Sequence, residues 1–463
     1  MKNRLLLIPV LLVLVLVGSV IVQVSFQRVE SFPEVPRCGD VAVIGGTTAA
    51  LIAAQVASEH GAQVYLFPQG QEIGNDSVYL VQEGLATWKS PAQQTWQEEQ
   101  GQEIGNGDEE AGQYVEMTRE AFQRALLNRG EGMNEPFLLQ HFLKEAPEFH
   151  RWMQDYGVNF DLIPHPEQRP FWLQTSSNQG GLVFRRQLVD KLKQSNVLIQ
   201  EENVVSIKPS EDENQVVAVK VENHEQDQVE PFYFQSVVLA DGGYSGDLQS
   251  WKEYLPQRNL VSLRADQKGR GLQMAAELEA EIVQTSFFNR RMALFAPEEE
   301  KLELLPRNYW ENAFLVNRDG QTLDISQASS SEAFSFIVNA PSEGVFITAP
   351  EEKAHLMQPF ITALDNWAEA VETGRMEQAP QLQLEPPVFL AQIKAGVDFT
   401  LGGLSVTPQG EVKRRGGIIE GLFAAGEIAG GLHGEAMLEG MPLSETIFLG
   451  RSAGRAAAEY ARR

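Results

Sequence analysis

A strand that ends in glycines and runs into a helix can hold a phosphate, because free backbone N–H groups and the positive helix end face the anion together. Residues 41–57 have this form: Val41–Ile44 is apolar, Gly45-Gly46-Thr47-Thr48-Ala49-Ala50 is the turn, and Ala50–Ala57 has helical periodicity. The usual dinucleotide spacing is G-x-G-x-x-G/A. Thr47 takes the second glycine position and Ala50 the third. Alanine serves at the third position, whereas the Cβ of Thr47 crowds the approach and its hydroxyl can donate a hydrogen bond in exchange. The acid that grips a ribose hydroxyl belongs at the end of the next strand, and Phe67-Pro68-Gln69 supplies none. On these residues alone, a purely structural strand–helix turn is also open.

A second such turn lies near the end of the chain, in "GLFAAGEIAGGLHGEAMLEGMPLSET" (421–446). Other chemistry is sparse. Cys38 is the one cysteine, and no Cys/His cluster has zinc-like spacing, so no metal is expected. Lys+Arg of 37 against Asp+Glu of 63 gives a net charge of −26, which repels phosphate backbones and argues against nucleic acid as a partner.

The elements that position the two turns follow from the texture of the chain. Lys2 and Arg4 precede Leu5–Val24, an apolar run broken only by Gly18, Ser19 and Gln23, long enough to cross a membrane and followed by no A-x-A-like cleavage site. Residues 1–28 are therefore expected to be a signal anchor, with the main domain extracytoplasmic by the positive-inside bias; a cleaved, secreted form is the alternative. Residues 29–39 read as a linker. Residues 40–67 form a strand–turn–helix–strand unit, which implies parallel pairing. Helices are expected at 115–128 and 134–156, then a meander of short strands closing with a buried strand Ser236–Ala240. From about 256 to 392 helices and short strands mix, and the last 70 or so residues return to the opening style. The expected fold class is α/β, a Rossmann-like domain in two segments (40–255 and 393–463). An α+β capping domain is inserted at 256–392, and one transmembrane helix precedes the whole.

Six stretches carry a resemblance in one consistent order: "EAPEFHRWMQDYGVNFD" (145–161), "GGLVFRRQLVDKL" (180–192), "SVVLADGGYSGD" (236–247), "GRGLQMAAELEAEIV" (269–283), "FTLGGLSVTPQGEV" (399–412) and "GLFAAGEIAGGLHG" (421–434). Together they resemble the flavoprotein family of fumarate reductase, succinate dehydrogenase, L-aspartate oxidase and ketosteroid dehydrogenases. The resemblance implies FAD lying between a two-segment domain and its cap. It places Gly45, Gly46, Thr47, Thr48, Ala49 and Ala50 at the pyrophosphate, backbone groups of Val204 at the adenine, and Ala240, Asp241 and Gly242 along the nucleotide. It also places Gly426 and Glu427 at the ribityl chain, and the amides near Pro442 and Leu443 at the flavin carbonyl end. Some members attach FAD to a histidine in the stretch matching "GNDSVYLVQEGLATW" (74–88); none is present there, so noncovalent FAD is expected.

The family's substrate groups do not carry over. A dicarboxylate needs arginine forks, which bind carboxylates in a bidentate way. Met437 stands where the resemblance places a substrate arginine, and Asp398 near a substrate histidine; "QTSFFNRRM" lacks another histidine and "SQASSSEAF" the proton-donating arginine. The catalytic residues are thus left unassigned, with Arg290, Arg291 and His433 as candidates. The expected function is an FAD-dependent oxidoreductase on a non-dicarboxylate small molecule, with an electron partner of unknown identity. Two alternatives stand beside it: a fold-sharing protein with a binding role and little or no flavin, and a fumarate reductase-type enzyme with a rearranged site.

Overall fold

The computed structural model describes residues 38–105, 116–162, 170–209, 217–223, 228–247, 260–305, 313–328, 330–340, 344–349, 351–354 and 357–463. The expected anchor and nearly all of the linker lie outside the described residues. Among the described residues, no helix is long and apolar enough to cross a membrane.

The chain opens with β1 (Cys38–Ile44), α1 (Thr48–Glu59), β2 (Val64–Phe67) and α2 (Asp76–Gln82). After α3 (Pro136–Gln154) come β3 (Val197–Ile199), β4 (Gln228–Leu239) and β5 (Leu260–Ser262). Then follow α4 (Arg270–Ala276), β6 (Phe288–Ala296), β7 (Val388–Thr400), β8 (Gly417–Ala424) and α5 (Met441–Tyr460).

One eight-stranded sheet takes strands from both ends of the chain; six of them run in the order Glu411–Arg414, β8, β4, β1, β2, β3, and Asn203–Pro209 and Val217–Asn223 complete it beside β4. β1 and β2 pair in parallel from Val41 opposite Val64 to Ile44 opposite Phe67, and β8 pairs in parallel with β4. Strands covered on both faces carry continuous apolar runs, as Val41–Ile44 and Val64–Phe67 do, all fully buried. α1 is buried from Thr48 to Ala57, because the sheet lies on one side and α5 on the other. The two helices approach closely: a Cβ on Gly454 would lie 2.4 Å from the Ala53 carbonyl oxygen.

The meander departs from expectation at its last strand. Ser236–Ala240 is not a separate strand; Ser236–Leu239 is the last part of β4, whose first half pairs antiparallel with Val217–Asn223 and whose end pairs parallel with β8. A second eight-stranded sheet, largely antiparallel, is organised around β7, which pairs with β5, β6, Val345–Ala349 and Ile361–Leu364. β7 runs through position 392 without interruption and delivers Asp398 and Thr400 toward the first sheet's turns.

Candidate cofactor cleft and active site

The first turn is pressed against the end of β4. Gly45 has φ +130°, and a Cβ there would sit 2.2 Å from the Ala240 carbonyl oxygen. Thr47 caps α1: its Oγ1 accepts from the Ala50 N–H at 3.3 Å and donates to the Ala240 carbonyl at 2.6 Å. The hydroxyl is thus spent on the fold rather than offered outward, and the N-cap explains why threonine is tolerated here.

Three side chains from the segment after β2 meet the groups expected to hold a dinucleotide. Gln69 makes a paired contact with Val204, accepting from its N–H at 2.9 Å and donating to its carbonyl at 3.0 Å. Gln71 accepts from the Gly46 N–H at 2.7 Å and donates to the Asp241 carbonyl at 2.8 Å. Asp76 Oδ1 accepts from the Thr48 N–H at 2.8 Å and from its hydroxyl at 2.7 Å.

Beside this turn opens a cleft of about 1150 Å³, lined by Gly46, Thr47, Gln69, Gln71, Asp76, Tyr79, Glu83, Asp241, Arg264, Arg291 and Asp398 among others. That volume reaches the upper range of small-molecule and cofactor sites. Burial raises several of the acids in and beneath it. Burial pushes Asp241 up to about 6 and Glu427, beneath the cleft, up to about 8; it also raises Asp76, against the opposing pull of Arg264 and Thr48.

Farther along, the wall is a knot of polar side chains centred on Asp398. Asn289 pairs with Phe399 and Arg290 with Val397, so Asp398 is the extra residue of a β-bulge on β7. Such bulges re-aim one side chain. The Asp398 carboxylate accepts from the Tyr79 hydroxyl at 2.5 Å and from Asn289 Nδ2 at 2.8 Å, with Arg291 Nε at 3.6 Å. Arg291 Nη2 also donates to Glu83 Oε1 at 2.6 Å. Burial, with the Asp398 and Glu83 carboxylates beside it, holds the Tyr79 phenol well above its ordinary value, so it stays protonated. Burial disfavours charge on Arg291, but Asp398, Tyr79 and Glu83 outweigh that and hold it above the usual guanidinium value.

The sequence candidates separate accordingly. Gly46, Thr47, Asp241 and Arg291 line the cleft. Gly45, Thr48, Ala49, Ala50, Ala240, Gly242, Gly426, Pro442 and Leu443 are buried and do not line it. Glu427 accepts from the Thr400 N–H at 2.8 Å and hydroxyl at 3.1 Å. Arg290, adjacent to Arg291 and facing the other way, places its guanidinium 5.6 Å from the Phe334 ring centre, and it does not line the cleft. Nor does His433, whose Nε2 is 3.0 Å from Glu445 Oε2 in a fully buried pair at the start of α5. The backbone of Val204 is engaged by Gln69, and the carbonyl of Met437 accepts from Arg129 Nε at 3.1 Å. Sequence reasoning missed Gln69, Gln71, Asp76, Tyr79, Glu83 and Arg264. A polar "QGQEIGND" directly after a buried strand was the available signal.

Comparison with known proteins agrees with this geometry. The FAD binding domain family matches residues 40–443. An NADH:fumarate oxidoreductase of Klebsiella pneumoniae (strain 342) is 24% identical over 470 residues, covering 92% of this chain and 48% of that protein, so the chain spans about half the relative's length. Among solved structures, the open conformation of a flavocytochrome c3 fumarate reductase superposes with a TM-score of 0.74 at 21% identity, over 92% of this chain and 79% of the other. A 3-ketosteroid delta1-dehydrogenase from Sterolibacterium denitrificans superposes at 0.72 with 14% identity, over 91% and 100%. These structures share the mixed α/β fold. Gly45 and Gly46 where backbone must come close, a cleft of sufficient volume, and a buried carboxyl at Glu427 all fit the group that the matching family binds. With the turn at 45–50, the cleft beside it and a family match across most of its length, the chain belongs to the FAD binding domain family of flavoprotein oxidoreductases, with FAD as its cofactor.

Proposed function

We propose that this chain is an FAD-dependent oxidoreductase whose small-molecule substrate lacks the paired carboxylates of fumarate or succinate. The observation that carries this reading is the state of Arg291 on the cleft wall, already matched by Glu83 at 2.6 Å and Asp398 at 3.6 Å. A dianion arriving there meets two carboxylates around one occupied guanidinium, and displacing a charge-assisted pair costs more than a free fork returns. Arg264, a second guanidinium lining the cleft, lies 3.7 Å from Asp266 and faces Asp76 and Glu427.

FAD, when bound, supplies two-electron hydride exchange. The chain's own residues do the rest. Tyr79 presents a phenol that stays neutral, Asp398 holds that proton in place, and the second sheet covers the wall from which Asn289 and Arg291 project. A neutral phenol beside a guanidinium already paired with two carboxylates suits an uncharged substrate face better than a dianion.

Fumarate and its dimethyl ester share one carbon skeleton and differ in charge, so they test the reading directly. The full chain, loaded with FAD and photoreduced without oxygen, is expected to be reoxidised by dimethyl fumarate at least about tenfold faster than by fumarate, a difference of about 1.4 kcal/mol in barrier. Equal or faster reoxidation by fumarate sinks the proposal and returns the site to dicarboxylate chemistry.

A further inference from the structure

We propose that the second sheet carries a binding site of its own, a groove that takes a small monocarboxylate with an apolar body. The groove lies on the face of that sheet opposite its main core. Along β7, Ala391, Ile393 and Ala395 belong to the core, so Leu390, Gln392 and Lys394 stand on the other face. The short helix Trp367–Glu372 covers part of that face, packing with Phe346, Leu364, Val388 and Leu390. Past residues 373–375, which follow the helix, the face stays open as a groove of about 540 Å³, within the usual range for small-molecule sites. Phe295, Phe346, Phe360 and Leu390 give it apolar surface, and Arg318 and Arg375 line it with them. The groove shares no lining residue with the cofactor cleft and is independent of the substrate reading.

The charge pattern selects the ligand. The chain carries a net charge of −26, yet cations gather at this groove. Arg375 is half-buried and, among the described residues, its side chain has no ion-pair or hydrogen-bond partner. Arg318 donates from Nη2 to the Gly374 carbonyl at 3.1 Å and stands 3.9 Å from the exposed Glu377 carboxylate. Its Nε is buried without a partner, so this guanidinium is incompletely satisfied. Lys394 holds its ammonium 4.7 Å from the Phe295 ring centre, and Lys301, 3.7 Å from Glu303, lies 5.1 Å from that of Phe360. An unmatched guanidinium beside aromatic and aliphatic surface binds a carboxylate at one end and its apolar body at the other. Glu298 and Glu299 line the same groove and repel a second negative charge, which favours a monoanion over a dianion.

The test titrates 3-phenylpropionate, its uncharged amide and acetate into the FAD-loaded full chain by isothermal calorimetry. The amide removes the charge and acetate removes the apolar body. In the wild type, 3-phenylpropionate is expected to bind at least about tenfold tighter than either, since the charged fork and the buried ring each contribute on that scale. Arg375→Gln should weaken 3-phenylpropionate at least about tenfold and leave the amide unchanged. Because the Arg375 side chain has no partner among the described residues, the variant should keep the wild-type FAD content and melting temperature. Arg318→Gln should weaken the same ligand in the same direction. Equal binding of acid and amide in the wild type overturns the proposal, as does no binding of the acid up to about 10 mM. Tight binding of the acid that Arg375→Gln leaves unchanged overturns it too, and a shift of the flavin absorption bands on binding would then put the ligand in the cofactor cleft.

Discussion

Gly45→Ala is expected to lose its fold or to melt at least about 8 °C below the wild type, and to retain no FAD. The residue sits at φ +130°, outside the regions that L-residues populate, and its Cβ would lie 2.2 Å from the Ala240 oxygen, 2.4 Å from the Ala240 carbon and 2.6 Å from the Asp241 nitrogen. All three are backbone atoms, so no rotamer can relieve the clash. Neither side can retreat freely: the Gly45 N–H donates to the Phe67 carbonyl and the Ala240 N–H to the Ile44 carbonyl, each at 2.8 Å. Strained backbone costs about 1–3 kcal/mol and overpacking about as much again, a large share of a stability of about 5–15 kcal/mol. Gly416→Ala is the control. It has φ +88° with nothing within 4 Å of the added methyl, so only the conformational part remains, about 1 kcal/mol. If the two variants melt together, the close approach of the β1 turn to the end of β4 is wrong.

The opening unit was legible because its physics is local. Two buried parallel strands must be apolar throughout, and the turn between β1 and α1 demands glycine at its first position. β4 was legible as strand but not as one strand, because it changes partners midway, from an antiparallel neighbour to a parallel one, and residue periodicity carries no record of which neighbour is present. At the site the sequence offered Arg290 and Arg291 as equals. Consecutive residues of a strand face opposite ways, and only the register of β6 against β7 decides which one faces the cleft. The bulge that aims Asp398 at Tyr79 is equally silent in the sequence, since the two residues are 319 positions apart. His433 stood among the candidates, yet its fate was set by Glu445, one turn into α5, with which it is buried.

Glu427→Gln is expected to stabilise the protein by several kcal/mol near pH 9 while changing little near pH 4. Burial pushes this carboxyl from its ordinary value of 4.5 up to about 8, despite the opposing charge of Arg264 and the hydrogen bonds from Thr400. The native state therefore binds the proton more tightly than the unfolded chain. Between the two values, the unfolded state has released its proton and the native state has not, so stability falls as pH rises and levels off above about 8. The difference, 8 − 4.5 = 3.5 units, sets an upper limit of about 5 kcal/mol at about 1.36 kcal/mol per unit. Glutamine keeps an oxygen for the Thr400 N–H at 2.8 Å and hydroxyl at 3.1 Å and has no charge to desolvate, so this slope should disappear. Urea unfolding midpoints across about pH 4 to about pH 9 measure it. A glutamine variant less stable than the wild type at the alkaline end, or offset by the same amount at every pH, means that the carboxyl is not held neutral. If the slope is as expected, Glu427 stands at neutral pH as a protonated acid, able to donate as well as accept.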